Sequence, residues 1–356
     1  MSEHCSVLNY EMQVLDTKLP WACEETAPPS IMFSPLPAPS DAEAEVSDKL
    51  VSILQQHFLL PIHVDRIYPL AGHLHSLYLV RLSNETHLLM KCSPKPTAPL
   101  LRREHILLDT EARALSLLNK NTMPCVPQLL HYDALGDLLG PSFLIRHHIP
   151  GSSLEDLDAH LTVQERNSVE RSLGLLAKRI AQHTSESFGS LGQVATSRGT
   201  KSWREGFLVL FEGLLRNAED VFINLPYGEI RYQVSRASPA LDEITIPRLV
   251  VVDFGQPSQV LVNESKRLCG ISSFGTAVWG DVYMAKIFED PTPSVLDGFG
   301  SCYAKSQSGR TRQLLYSCYR AVHGIVLQYY RKNRATAAEI DSRRELLTAL
   351  AKMATL

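Results

Sequence analysis

The chain has 356 residues, 44% of them hydrophobic and 21% charged, with a formal net charge of −3. That composition suits a globular protein long enough for two packed lobes. It lacks the basic excess that marks binders of nucleic acid or anionic membrane surfaces, and no apolar run reaches the about 20 residues that cross a bilayer.

In chain order, residues 1–45 hold Pro20, Pro28, Pro29, Pro35, Pro37 and Pro39 without a sustained apolar period, which predicts an irregular leader. The small lobe is placed at 46–148 and a helical lobe at 149–356. Ser47 followed by Leu50, Ile53 and Leu54 predicts a helix over 47–58. Strands are expected at 64–68, 76–82 and 87–92, the last two joined by the turn Ser83-Asn84-Glu85-Thr86. A helix over 100–118 and a strand over 142–148 complete the small lobe. Apolar residues three or four apart predict helices over 161–183, 203–222, 311–332 and 335–353. Short strands at 249–252, 260–262 and 268–271 interrupt them. The seven cysteines are scattered, odd in number and never spaced CxxC, which fits reduced thiols in a cytoplasmic protein.

Several residues stand out chemically. Glu111 lies on the apolar stripe Leu107, Leu115 and Leu118, where a carboxylate is costly without a cation or an edge reaching water. Lys91, at the end of the strand 87–92, is the economical partner; the alternative is that Glu111 reaches a helix edge and Lys91 is an exposed strand end. The loop Pro69-Leu70-Ala71-Gly72-His73-Leu74-His75-Ser76 offers one glycine, Gly72, for close backbone approach to a phosphate. His73 and His75 alternate along it, as ligands or proton carriers, or as loop residues facing solvent. Asp253 follows four apolar residues and so emerges from a buried strand, where it either accepts a proton from a substrate hydroxyl or caps the turn Phe254-Gly255-Gln256-Pro257. Asp281 is read as the cap of a helix over 282–288.

The stretch from Leu249 to Asp281, LVVVDFGQPSQVLVNESKRLCGISSFGTAVWGD, resembles the catalytic core of the aminoglycoside-phosphotransferase and choline-kinase type family. The resemblance implies an α+β, bilobal, protein kinase-like fold with a small β-rich amino-terminal lobe and a mostly helical carboxy-terminal lobe. In that family the first strand ends in His-Gly-Asp, an Asn precedes the second strand, and the third ends in an Asp before an aromatic residue. Here Val251 and Val252 stand at the His-Gly positions, Gln259 at the Asn position with one extra loop residue, and Ser273 at the metal-binding Asp. Phe143-Leu144-Ile145-Arg146 and His147-His148-Ile149-Pro150-Gly151 resemble the strand and hinge lining the adenine slot. The resemblance also implies that Lys91, Glu111 and Gly72 form the nucleotide side of the cleft.

Phosphoryl transfer needs Mg²⁺ held by carboxylate or amide oxygens against the phosphates, and a serine hydroxyl brings no charge to that task. The chain is similar to a fungal branch of the family found in specialised-metabolite pathways. The first reading is therefore a metabolite-binding catalyst of cyclisation or rearrangement that needs neither metal nor cofactor, with Asp253, His73, His75 and Arg146 as its polar groups. The second is a small-molecule kinase using ATP and Mg²⁺ through Lys91, Glu111 and Asp253. The third is a pseudokinase scaffold for a protein partner not named by the sequence.

Overall fold

Along His87–Cys92 the side chains alternate between the two faces of a strand, so Leu88, Met90 and Cys92 share one face and Leu89 and Lys91 the other. A computed structural model describes residues 41–72, 74–121, 123–300, 306–331 and 336–356, and shows what each face meets. Five antiparallel strands, β1 (Val64–Leu70), β2 (Ser76–Leu82), β3 (His87–Cys92), β4 (Leu129–Asp133) and β5 (Phe143–His147), form one sheet in the order β1-β2-β3-β5-β4. Helix α1 (Asp41–Leu54) brings Leu50, Ile53 and Leu54 onto the outer face, against Val80, Leu82, Leu88, Met90, Phe143 and Ile145. On the inner face Lys91 pairs in register with Leu144, and Leu89 with Arg146. Helix α2 (Leu107–Leu118) carries Glu111, fully buried, toward that face.

The remaining elements are α3 (Leu154–Leu157), α4 (Val163–Ile180), α5 (Leu191–Ala195), α6 (Trp203–Asp220), α7 (Tyr227–Ala237), α8 (Pro293–Phe299), α9 (Gln307–Tyr329) and α10 (Thr336–Ala354). Six short strands run among them: β6 (Ser152–Ser153), β7 (Gly189–Ser190), β8 (Arg248–Val251), β9 (Val260–Val262), β10 (Leu268–Ile271) and β11 (Ala277–Gly280). They make two three-stranded sheets, β10-β9-β6 and β7-β11-β8. Helix starts follow their chemistry. Ser153 and Ser202 accept from backbone N–H groups of α3 and α6, and Thr162 forms a reciprocal cap with Glu165 at α4. The large core is aromatic at its centre, where Phe207 meets Tyr316 edge to face at 5.5 Å and packs beside Trp203 and Tyr319. None of the helices among the described residues is long and apolar enough to cross a membrane.

Four expectations change. Helix α1 begins at Asp41, inside the segment 1–45 read as irregular; residues 1–40 lie outside the described residues. The helix expected over 100–118 starts only at Leu107, because Glu104 turns its carboxylate back to Leu101 N at 2.9 Å and opens a separate 3₁₀ turn, Glu104–Ile106. The helix expected over 161–183 is α4, with Gln182 and His183 turning off after Ile180 toward β8. Asp281 caps a short 3₁₀ turn, Val282–Met284, and a second one, Lys286–Phe288, follows Ala285 without a side-chain cap, in place of one helix. Strands β4 and β11 and helix α7 were not expected. The pattern of α7 is diluted by the buried amide of Gln233, and β11 is buried at every position, so it shows no alternation.

Candidate functional site

Strand β3 and helix α2 converge on Glu111, whose Oε2 lies 2.6 Å from Lys91 Nζ. Its other oxygen is 3.7 Å from Arg146 Nε on β5, and Ser273 Oγ lies 3.4 Å from Oε2. Burial alone pushes a carboxyl up, but Lys91 and Arg146 outweigh it and hold Glu111 below its ordinary range. Glu111 does not reach a helix edge: the carboxylate is held between two cations and leaves the cluster with one net positive charge. Arg146 is itself buried, and it spends its guanidinium on the carbonyls of Ser272 at 2.8 Å and His147 at 3.3 Å.

His75 is also drawn in. Its Nδ1 donates to the Cys92 carbonyl at 3.0 Å, which fixes the neutral tautomer and leaves Nε2 as an acceptor with no protein partner. Burial first, then the Lys91 ammonium, pushes its pKa down to about 4. The solvent-facing alternative for His75 is thus corrected: the first residues of β2 tuck it under the sheet. His73 lies outside the described residues. Gly72 is exposed, and a Cβ there would stand 2.5 Å from the His75 carbonyl oxygen, so only glycine lets the loop close this tightly.

From the helical lobe, β8 leads into Asp253, which lies half-buried two residues past the strand's end. Thr276, at the entrance to β11, donates its hydroxyl to Asp253 Oδ1 in a short hydrogen bond, and Gln259 donates Nε2 to Oδ2 at 2.6 Å. Asp253 therefore has a donor on each oxygen, beyond any role in its turn. Ser273 turns its hydroxyl toward Glu111 and accepts from Gly275 N at 3.3 Å.

Residues 67–226 match the model of the Phosphotransferase enzyme family. The fold is that of the aminoglycoside phosphotransferases. The matched segment includes Lys91, Glu111 and Arg146 and ends before Asp253. No curated protein matches the chain. Among solved structures, a thermostable mutant of aminoglycoside phosphotransferase APH(4)-Ia in ternary complex with AMP-PNP and hygromycin B is similar at TM-score 0.59 and 14% identity, over 85% of this chain and 98% of that one. The streptomycin–ATP–APH(2″)-IIa ternary complex is similar at TM-score 0.56 and 18% identity, over 89% and 99%. A mutant of aminoglycoside 2′-phosphotransferase-IIIa in complex with GDP is similar at TM-score 0.53 and 18% identity, over 86% and 98%. At these identities the likeness concerns the fold.

A magnesium ion of the kind the fold family uses does not fit this donor set. Among the described residues no three His, Cys, Asp or Glu side chains converge on a point. Asp253 has both oxygens engaged, Gln259 presents its N–H₂ to that carboxylate, and Ser273 brings a neutral hydroxyl already directed to Glu111. The nucleotide side fits better. Lys91 Nζ has donors beyond the one it gives Glu111, and the Gly72 turn keeps backbone close to the strand ends.

Proposed function

We propose that this phosphotransferase-fold chain is a small-molecule-binding catalyst that works without phosphoryl transfer, holding a metabolite between the lobes for a cyclisation or rearrangement of the kind found in fungal specialised-metabolite pathways. The observation that carries the reading is the double engagement of Asp253 by Thr276 and Gln259, which puts neutral donors where a metal-dependent site needs open oxygens. What the site holds instead is a half-buried carboxylate of fixed orientation at Asp253, a buried net positive cluster at Lys91, Glu111 and Arg146, and an uncharged, buried base at His75 Nε2. Holding a flexible ligand in a reactive conformer among such groups lowers a unimolecular barrier without a metal. The neighbours' complexes with hygromycin B and streptomycin support a small molecule as ligand of this fold.

The second reading is a small-molecule kinase, favoured by the buried 2.6 Å pair of Lys91 and Glu111 that the resemblance links to nucleotide phosphates. One titration separates them. ATP is added to the purified chain with and without Mg²⁺ while the melting temperature and nucleotide hydrolysis or transfer are followed. The non-phosphorylating reading expects no Mg²⁺-dependent increment in stability and no ATP consumption; Mg²⁺-dependent stabilisation together with ATP turnover establishes the kinase.

A further inference from the structure

The loop Ser272-Ser273-Phe274-Gly275-Thr276 belongs to the helical lobe, yet residues of the small lobe grip it along its length. At its first residue, Arg146 of β5 donates to the Ser272 carbonyl at 2.8 Å. At the second, Ser273 Oγ meets Glu111 of α2 at 3.4 Å. At Gly275 the backbone runs so near α2 that a Cβ would stand 3.0 Å from the Leu107 carbonyl oxygen, so a side chain there would push the loop off the helix. At its last residue, Arg103, in the turn that leads into α2, donates a short hydrogen bond to the Thr276 carbonyl and reaches Tyr319 Oη of α9 at 3.3 Å. The same turn is bolted to the helical lobe on either side. Arg102 binds Asn217 Oδ1 at 2.8 Å and Asp220 at 2.5 Å, and Glu104 pairs with Arg331.

Thr276 is where these grips meet the site. Its carbonyl takes Arg103, and its hydroxyl both donates to Asp253 Oδ1 and lies 3.4 Å from Asp253 N. One residue thus joins a small-lobe cation to the orientation of the Asp253 carboxylate. A cation donating to a carbonyl is among the stronger hydrogen bonds, and it acts here on backbone, which passes displacement along the chain with little slack.

We propose that Arg103 and Thr276 are positioning residues that set Asp253 relative to the Lys91–Glu111–Arg146 cluster, so that the seating of α2 is read out at Asp253. This rests on Asp253 being the working carboxylate of the site. It adds a coupling that the turnover titration does not probe.

The test is hydrogen–deuterium exchange on the full chain, comparing Arg103→Gln, Thr276→Val and Thr276→Ser with wild type. Losing one charge-assisted or side-chain hydrogen bond corresponds to about tenfold faster local opening. Backbone amides of residues 251–256 are expected to exchange about tenfold faster in Arg103→Gln and Thr276→Val, at the wild-type rate in Thr276→Ser, and with no change in the α9 core around Val322. Unchanged exchange at 251–256 in either Arg103→Gln or Thr276→Val overturns the proposal. So does equal acceleration in α9, which would mean general loosening, or failure of Thr276→Ser to restore protection. Because exchange requires neither ligand nor turnover, a failed coupling and a failed reading of the chemistry give different results.

Discussion

Gln259 Nε2 sits 2.6 Å from Asp253 Oδ2, closing one side of the carboxylate, while the amide's own oxygen is buried without a partner. Charge explains the orientation, since the reverse would set the amide oxygen against an anionic one. Replacing this donor and the neutral Ser273 with oxygen ligands should change the ion chemistry of the cleft.

The double variant Gln259→Asn, Ser273→Asp is expected to gain Mg²⁺-dependent stability that the wild type lacks. At an ion concentration of about one hundred times Kd, binding to the folded state contributes about 2.7 kcal/mol. Thermal melts with millimolar Mg²⁺ or with EDTA measure it. An equal Mg²⁺ response in the wild type would contradict the reading of its site as unfit for the ion.

Glu111→Gln is expected to destabilise the chain by about 3–5 kcal/mol, because it leaves Lys91 and Arg146 buried without a counter-charge. Lys91→Met should cost less, since Arg146 still faces the carboxylate and methionine fills the space of the lysine stem. Urea unfolding of both variants checks the order; a larger loss in Lys91→Met would show that Arg146 does not compensate.

Stability should fall as pH drops from about 6.5 toward 4. Burial holds His75, His148 and His323 neutral, each pushed down to about 4 from the ordinary 6.5. Between those values the unfolded chain binds protons that the folded chain refuses. The stability these histidines contribute is therefore full above about 6.5 and lost progressively as the pH approaches their folded values. Each adds up to about 1.4 kcal/mol per pH unit to the slope inside that window. His75→Asn, which keeps a donor for the Cys92 carbonyl, should remove one such contribution in urea titrations at pH 7, 6 and 5. An unaltered slope would mean that His75 is charged in the folded protein.

Tyr316→Phe is expected to cost about 1–3 kcal/mol. Tyr316 Oη donates to Asp281 Oδ2 at 2.7 Å and accepts from Trp203 Nε1 at 2.8 Å, so its loss strands the buried indole N–H and leaves Asp281 Oδ2 with Arg312 Nε at 3.3 Å. Circular dichroism melts with near-ultraviolet detection would register both the stability and the tryptophan environment. A variant melting with the wild type would place water at those atoms.

Much of the architecture was legible because it is local. The apolar runs of β2 and β3 with the turn Ser83-Asn84-Glu85-Thr86 between them, the apolar spacing of α4, α6 and α9, and the serine and threonine caps are each written within a few residues. The candidate site was half legible. Glu111 on an apolar stripe asked for a cation, and Lys91 was the nearest candidate. Asp253 at the end of an apolar run was evident, and its partner Gln259 lay six residues on. His75 was misjudged between its alternatives because nothing in a loop sequence shows that the Cys92 carbonyl waits beneath it.

Taken alone, the sequence determined the strands β2 and β3 and the helices α4, α6 and α9 to within a few residues, and it marked Glu111 as a carboxylate in need of a cation, since hydrophobic period and the expense of a misplaced charge act over neighbouring residues. Tertiary structure decided what those groups hold. Arg103 meets the Thr276 carbonyl 173 positions away, Glu104 meets Arg331 across 227, and Arg146 reaches Ser272 across 126. Long, charged side chains carry no local pattern that names a partner. Their pairing follows from where the two lobes bring distant backbone together, and from the penalty a buried charge incurs until it finds an opposite charge or a carbonyl.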